Sequence, residues 1–216
     1  MNVLIVGANG QIGKHAVKLI ANDDSMTAKA MIRKQEQAAY FHEQDVDTAI
    51  VDLEDSVDRI VHALEDIDAV VFAAGSGPKT GKDKTLMIDL DGAVKTIEAA
   101  KQSGVKRFIL ISSFDTSREA IQAANEDFAP YIVAKHYADE WLLASGLDYT
   151  IIHPGALTND PGTGNVTLAS KVERGEVPRE DIAKVIYESL KHPSTIGKRF
   201  QVVTGDTAIT KAIESV

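Results

Sequence analysis

The chain has 216 residues, a formal net charge of −9 and a sequence pI near 5.1, a balance that repels phosphate backbones and anionic membrane surfaces. Hydrophobic residues at 44% and charged residues at 25% suit an ordinary buried core, and the absence of cysteine excludes disulfides, thiolate metal sites and thiol nucleophiles. The opening Met1-Asn2-Val3-Leu4-Ile5-Val6-Gly7 carries no basic leader, and its apolar run is too short for a signal peptide or membrane span; a cytoplasmic protein is the expectation.

Short apolar runs alternate with helix-period segments along the chain. Val3–Val6 reads as the first strand and Gln11–Ala21 as its helix. Thr27–Ile32 and a helix near Lys34–His42 follow, then Val46–Val51 with a helix near Ser56–Leu64. Ala69–Phe72 is the fourth strand, followed by a long helix over Lys84–Ser103 that Gly104 stops. Between them Lys79, Lys82 and Lys84 cluster in one Gly/Pro-containing loop, read as solvated rather than as an anion site. Arg107–Ile111 precedes an irregular stretch and a helix over Tyr131–Ala144, stopped by Gly146. Tyr149–His153, a Gly/Pro-rich segment, a helix near Asp181–Lys191 and a late strand Phe200–Val203 complete the pattern. Asp181 reads as that helix's N-cap. Val/Ile/Leu/Ala-rich strands separated by helices predict an α/β fold, a doubly wound parallel sheet covered on both faces, in a single domain.

The first strand and first helix are joined by Gly7-Ala8-Asn9-Gly10-Gln11-Ile12-Gly13. In a Rossmann-type fold, Gly7 would permit the tight turn, Gly10 would let the backbone approach a pyrophosphate, and Gly13 would let helix and sheet pack closely. The free amides at the start of the helix would then face the phosphates. Sites for NAD usually carry an acid at the end of the second strand, but here the chain reads Met31-Ile32-Arg33-Lys34. The planar fork of Arg33, with charge from Lys34, suits a 2′-phosphate, so NADP(H) is expected and NAD(H) is the alternative. Asp52-Leu53 would lie beside the adenine, where Asp52 either accepts from the amino group or caps the next helix.

Tyr131-Ile132-Val133-Ala134-Lys135 spells YxxxK, which places both functional side chains on one helix face. A phenol with a pKa of about 10 needs a neighbouring cation to exchange protons readily near neutrality. Lys135 would be that cation and would also hydrogen-bond a nicotinamide ribose. Ser112-Ser113 ends the fifth strand; a serine there could hold a substrate carbonyl while Tyr131 protonates its oxygen. The six histidines show no metal-ligand spacing. His153 is read as a strand-end imidazole, His136 as a surface residue, and Trp141 as core or subunit packing.

The order of glycine turn, Ser pair and YxxxK resembles the short-chain dehydrogenase/reductase superfamily, and within it the atypical NAD(P)-dependent epimerase/dehydratase-like and NmrA-like NAD(P)-binding proteins. Further carriers are Asp52-Leu53, Phe72-Ala73-Ala74-Gly75, Asp89-Leu90-Asp91-Gly92-Ala93 and His153-Pro154-Gly155. The resemblance implies that Ala73, Ala74 and Gly75 pass the adenine ribose and that the Pro154 turn brings Gly155, Ala156 and Leu157 to the nicotinamide carboxamide. Ser113, Tyr131 and Lys135 would be the catalytic trio. The superfamily's active-site Asn is Asp89 here, which accepts but cannot donate when ionised; Asp89 reads as an acceptor for backbone N–H groups. No room remains for a separate substrate domain, so a substrate would lie under Ser76–Lys84, Phe114–Pro130 and Ala156–Asn165, with about residues 154–216 as a small covering segment. Two functions are open: an NADP(H)-dependent oxidoreductase or epimerase/dehydratase-like protein acting on a small carbonyl compound, or a non-catalytic NADP(H) sensor. The chain would be a monomer or homodimer.

Overall fold

The computed structural model describes residues 1–77 and 80–216, so Lys79 of the lysine cluster lies outside the described residues. The first half alternates strictly: β1 (Asn2–Val6), α1 (Gln11–Ala21), β2 (Thr27–Ile32), α2 (Ala38–His42), β3 (Asp47–Ile50), α3 (Val57–Ala63) and β4 (Ala69–Phe72). After α4 (Lys82–Lys84) come α5 (Gly92–Ser103), β5 (Arg107–Ile111), α6 (Arg118–Ala123), α7 (Ala129–Leu143) and β6 (Asp148–Pro154). The remainder holds β7 (Ala156–Thr158), β8 (Asn165–Ala169), β9 (Glu176–Pro178), α8 (Arg179–Lys191), β10 (Lys198–Thr204), β11 (Thr207–Ala208) and α9 (Ile209–Glu214).

One nine-stranded sheet runs in the order β11-β8-β10-β6-β5-β4-β1-β2-β3. From β3 to β10 every pairing is parallel, as the uninterrupted apolar strands require of a sheet buried on both faces. The odd residues Val3 and Ile5 of β1 share a core with Ile12, Ala16 and Ile20 of α1 and with Ile182 and Ile186 of α8. The even residues Leu4 and Val6 face Ile60 of α3, Ile97 of α5 and Ala138 and Leu142 of α7. Strand alternation thus divides the apolar side chains between two layers of helices. Because β1 pairs with both β2 and β4, the chain reverses its direction of winding beside β1, and a crevice opens there at the strands' carboxyl ends.

Departures from the expected pattern cluster late in the chain. Part of residues 154–216 joins the sheet: β8 and β11 extend it antiparallel beyond β10, while β7 and β9 form a separate parallel pair. These strands, α6 and α9 span at most six residues each, too few for a sequence window to display a period. The expected helix over Lys84–Ser103 is interrupted by a π-helical stretch at Thr85–Asp91. Its wider turns carry Asp89 inward, to 1% exposure, against partners on other elements. Asp181 is structural, though not as the N-cap: α8 starts at Arg179, and the buried Asp181 carboxylate accepts from the amides of Thr163 and Gly164 at 2.9 Å. The loop before β8 is thereby tied to α8. Trp141 is 49% exposed and donates to Glu98 at 2.8 Å, so it does not belong to the core. His136 is half-buried rather than superficial, with Nδ1 2.8 Å from the Thr116 carbonyl.

Candidate functional site

Beyond β1 the backbone turns at Gly7 with φ of +81°, a left-handed conformation costly for residues bearing a Cβ. A Cβ there would lie 2.6 Å from Ala74 Cα and 2.7 Å from Ala74 N, so the absent side chain is what lets the β1 and β4 loops meet. At Gly13 a Cβ would lie 2.7 Å from Ala8 O and 2.8 Å from Ala8 Cα. Both obstacles are backbone and cannot swing aside. α1 begins after Gly10 with no side-chain cap and no acid in its first turn, so its first N–H groups and positive dipole end face the crevice without an internal counter-charge. This cradle of bare backbone and uncapped amides fits a diphosphate. Replacing Gly13 by alanine is expected to cost about 1–3 kcal/mol of stability through overpacking. The same variant should lose dinucleotide binding, read by NADPH fluorescence titration; binding at native affinity would show that the cradle is not the phosphate site.

Arg33 is exposed where β2 ends; among the described residues its guanidinium makes no hydrogen bond or ion pair. Lys34 is also exposed, its Nζ 3.5 Å from Glu36. The Gln37 side chain accepts from the amides of both Arg33 and Lys34 at 3.0 Å, fixing the backbone from which the two side chains project. Asp52 does not cap α3, whose N-cap is Ser56; its Oδ1 accepts from Glu54 N at 3.0 Å in a local turn. Leu53 is buried in the core, with its side chain facing Gly92 at the start of α5.

The β4 loop connects this cradle to the second constellation. Ala73 N donates to Val6 O at 2.9 Å, and Gly75 lies against Asp89 closely enough for a Cβ to come within 3.1 Å of Oδ1. Asp89 Oδ2 accepts from Ser76 N at 3.0 Å, the backbone acceptor role expected of it. Its Oδ1 does something the sequence did not announce: it pairs with Lys135 Nζ at 3.3 Å, with the two side chains 1% and 4% exposed. Lys135 also donates to Ile111 O at 3.2 Å. Burial pulls the ammonium's pKa down, but Tyr131, Asp89 and Asp139 together hold it above the ordinary lysine value. Two of its three N–H bonds are engaged among the described residues, by Ile111 O and the Asp89 carboxylate.

Tyr131 is half-buried one turn ahead of Lys135, whose Nζ lies 5.8 Å from its ring centre. Ser113 is half-buried, and its hydroxyl has no hydrogen bond among the described residues; its carbonyl accepts from His153 Nδ1 at 2.6 Å. The preceding Ser112 points elsewhere, donating to Asp139 at 2.9 Å. Asp139 is the residue that sequence reading missed, although its spacing of four from Lys135 placed it on the inward face of α7. Of the turn after β6, Gly155 N donates to Val202 O at 2.8 Å and Ala156 N to Gly175 O at 2.9 Å. Those two donors are therefore engaged within the fold. Pro154 is buried, and the Leu157 carbonyl accepts from Arg179 at 3.1 Å.

Residues 7–193 match a family of domains described as NAD(P)H-binding. The chain belongs to that NAD(P)H-binding family. It is similar over its full length, at 45% identity, to the uncharacterized sugar epimerase YhfK of Bacillus subtilis (strain 168), which it likewise covers entirely. A solved structure from Bacillus halodurans, provisionally assigned as an NAD-dependent epimerase/dehydratase, superposes with a TM-score of 0.93 at 43% identity and covers 100% of both chains. The oxidoreductase ylbE from Lactococcus lactis superposes with a TM-score of 0.87 at 33% identity, covering 100% of this chain and 96% of its own. The likeness read from the glycine turn and YxxxK thus holds at the level of an NAD(P)H-binding Rossmann protein with epimerase- and oxidoreductase-named relatives. Among the described residues no helix is long and apolar enough to cross a membrane, and no group of His, Asp and Glu is arranged to hold a metal ion.

Proposed function

We propose that this family member is an NADP(H)-dependent oxidoreductase or epimerase/dehydratase-like enzyme acting on a small carbonyl compound. The observation that carries the reading is the buried Lys135–Asp89 pair beside Tyr131, reached from the glycine cradle through Ala73, Ala74 and Gly75. Gly7, Asn9, Gly10, Gln11, Ile12 and Gly13 would hold the pyrophosphate, Arg33 and Lys34 the 2′-phosphate, and Asp52 and Leu53 would border the adenine. When bound, the dinucleotide supplies or accepts a hydride. Tyr131 holds the proton destined for the carbonyl oxygen, and Ser113 offers a hydroxyl that orients that oxygen. Lys135 places positive charge near the phenol and would donate to a ribose hydroxyl. Pro154, Gly155, Ala156 and Leu157 would close the nicotinamide end by shape and through carbonyl oxygens, since the Gly155 and Ala156 amides are engaged. The names of the similar proteins, an epimerase and an oxidoreductase, support an enzymatic role.

The Arg33 guanidinium at the end of β2, unpaired among the described residues, favours NADP(H), whereas the Bacillus halodurans relative carries an NAD-dependent name. Arg33→Ala is expected to weaken NADPH about tenfold or more, the worth of a charge-assisted hydrogen bond, while leaving NADH nearly unchanged. Parallel calorimetric titrations with both coenzymes decide this; equal losses for the two would assign Arg33 no part in reading the 2′-phosphate. A second reading, a non-catalytic NADP(H) sensor, is favoured by one observation. Asp89 stands where the superfamily has its relay Asn, and its carboxylate is spent on Lys135 and Ser76.

A further inference from the structure

Phe128, Tyr131 and Lys135 stand three and four residues apart, on one face of α7 and the turn that opens it. Along that row exposure falls from 49% at Phe128, through the half-buried Tyr131, to 4% at the Lys135 side chain. The row thus runs from solvent into the crevice, toward the Lys135–Asp89 pair. The Phe128 and Tyr131 rings lie 5.3 Å apart between centres, tilted by 33°. Among the described residues, neither ring packs against either of the core layers. The backbone beneath Phe128 is nevertheless fixed. Asn125 Oδ1 accepts from Phe128 N at 2.9 Å and from Asp127 N at 3.2 Å, and the Phe128 carbonyl accepts from Tyr131 N at 3.1 Å. Lys82 of α4 ties the same turn to the segment after β4, donating to Glu126 O at 3.0 Å and pairing with Asp127 at 3.2 Å. An apolar ring held this firmly at the mouth of the site, and half exposed, has an open face for a flat ligand.

We propose that Phe128 is a specificity-determining residue that contacts the substrate, and that the substrate is an aromatic or conjugated carbonyl compound. Its ring stacks on Phe128 while its carbonyl oxygen meets the hydroxyl of Tyr131, the proton donor in the function proposed above, on which this assignment rests. The C=O of an aryl ketone is conjugated with the ring and lies near its plane, so stacking the ring also aims the oxygen. A saturated ring of nearly the same size offers neither the flat face nor the fixed carbonyl. Covering the Phe128 face also removes apolar surface from water, which a hydroxyl-rich ring does less completely.

Calorimetric titration of the whole chain, with and without saturating NADP⁺, compares acetophenone with cyclohexyl methyl ketone. The oxidised coenzyme keeps either ketone from being reduced during the titration. Acetophenone should bind about two- to tenfold more tightly, the worth of one aromatic pair. Phe128→Ala should remove that preference and Phe128→Trp should keep it, with NADPH affinity unchanged in both, since Phe128 lies outside the glycine cradle. Equal native affinities for the two ketones would overturn the proposal. So would a preference that survives Phe128→Ala, or no acetophenone binding at about 10 mM. The reductase reading stands or falls separately, on NADPH oxidation. Turnover of both ketones at equal kcat/KM would uphold that reading and overturn this one. An acetophenone preference in binding, without NADPH oxidation, would keep the ring site and overturn the reductase.

Discussion

Asp89→Ala is expected to destabilise the folded chain by about 3–5 kcal/mol, the cost of leaving a buried charge without its partner. Lys135 would keep only the Ile111 carbonyl as an acceptor, and Ser76 N would lose its own. Asp89→Asn, which restores an acceptor but not the charge, should recover part of the loss. Urea unfolding followed by far-UV circular dichroism measures the effect, and a change below about 1 kcal/mol would place the pair among weak surface-like contacts. The sign with pH follows from Lys135. In the folded chain it holds its proton more tightly than an ordinary lysine: burial lowers its pKa, but Tyr131, Asp89 and Asp139 outweigh that effect. Its stabilising contribution is therefore complete below the unfolded value of about 10.4 and is lost as pH rises through the folded value. Without Asp89, the burial effect meets less opposition, and the alkaline loss should begin at lower pH.

Tyr131→Phe is expected to lower kcat/KM for NADPH-dependent carbonyl reduction by about 10²–10⁴, the usual worth of a positioned proton donor, while NADPH affinity stays within about twofold. The phenol has no hydrogen-bond partner among the described residues, so removing its oxygen leaves no buried group unsatisfied. A loss confined to turnover would separate a chemical role from a structural one. The assay is NADPH oxidation against a panel of small carbonyl compounds and quinones. Full turnover in the variant would remove Tyr131 from the reaction, and tight NADPH binding with no turnover in the native chain would favour the sensor.

Local signals carried the first half of the fold. A strand of Val, Leu and Ile, then three spaced glycines, then a helix with Ile12, Ala16 and Ile20 on one face can form in only a few ways, because period and turn chemistry act over a few residues. The same locality makes Tyr131 and Lys135 neighbours on α7 in any environment. Nothing local says that Lys135 meets Asp89, separated from it along the chain by two helices and a strand, or that Asp139 lies under Ser112. The π-helical stretch at Thr85–Asp91 has an ordinary helical composition; its wide turns become favourable only once Asp89 has Lys135 and Ser76 to satisfy it.

What the residues determined by themselves was the parallel sheet from β3 to β6, the bare-backbone turn at Gly7–Gly13 and the serine, tyrosine and lysine set out in chain order. Tertiary structure alone decided the antiparallel edge of β8 and β11, the engagement of the Gly155 and Ala156 amides, the buried Lys135–Asp89 pair and the polar wall built around Asp139. The division has one physical cause. Apolar period and glycine spacing are written in neighbouring residues, whereas the partner of a buried charge is chosen by desolvation, which acts only after distant segments have closed over it.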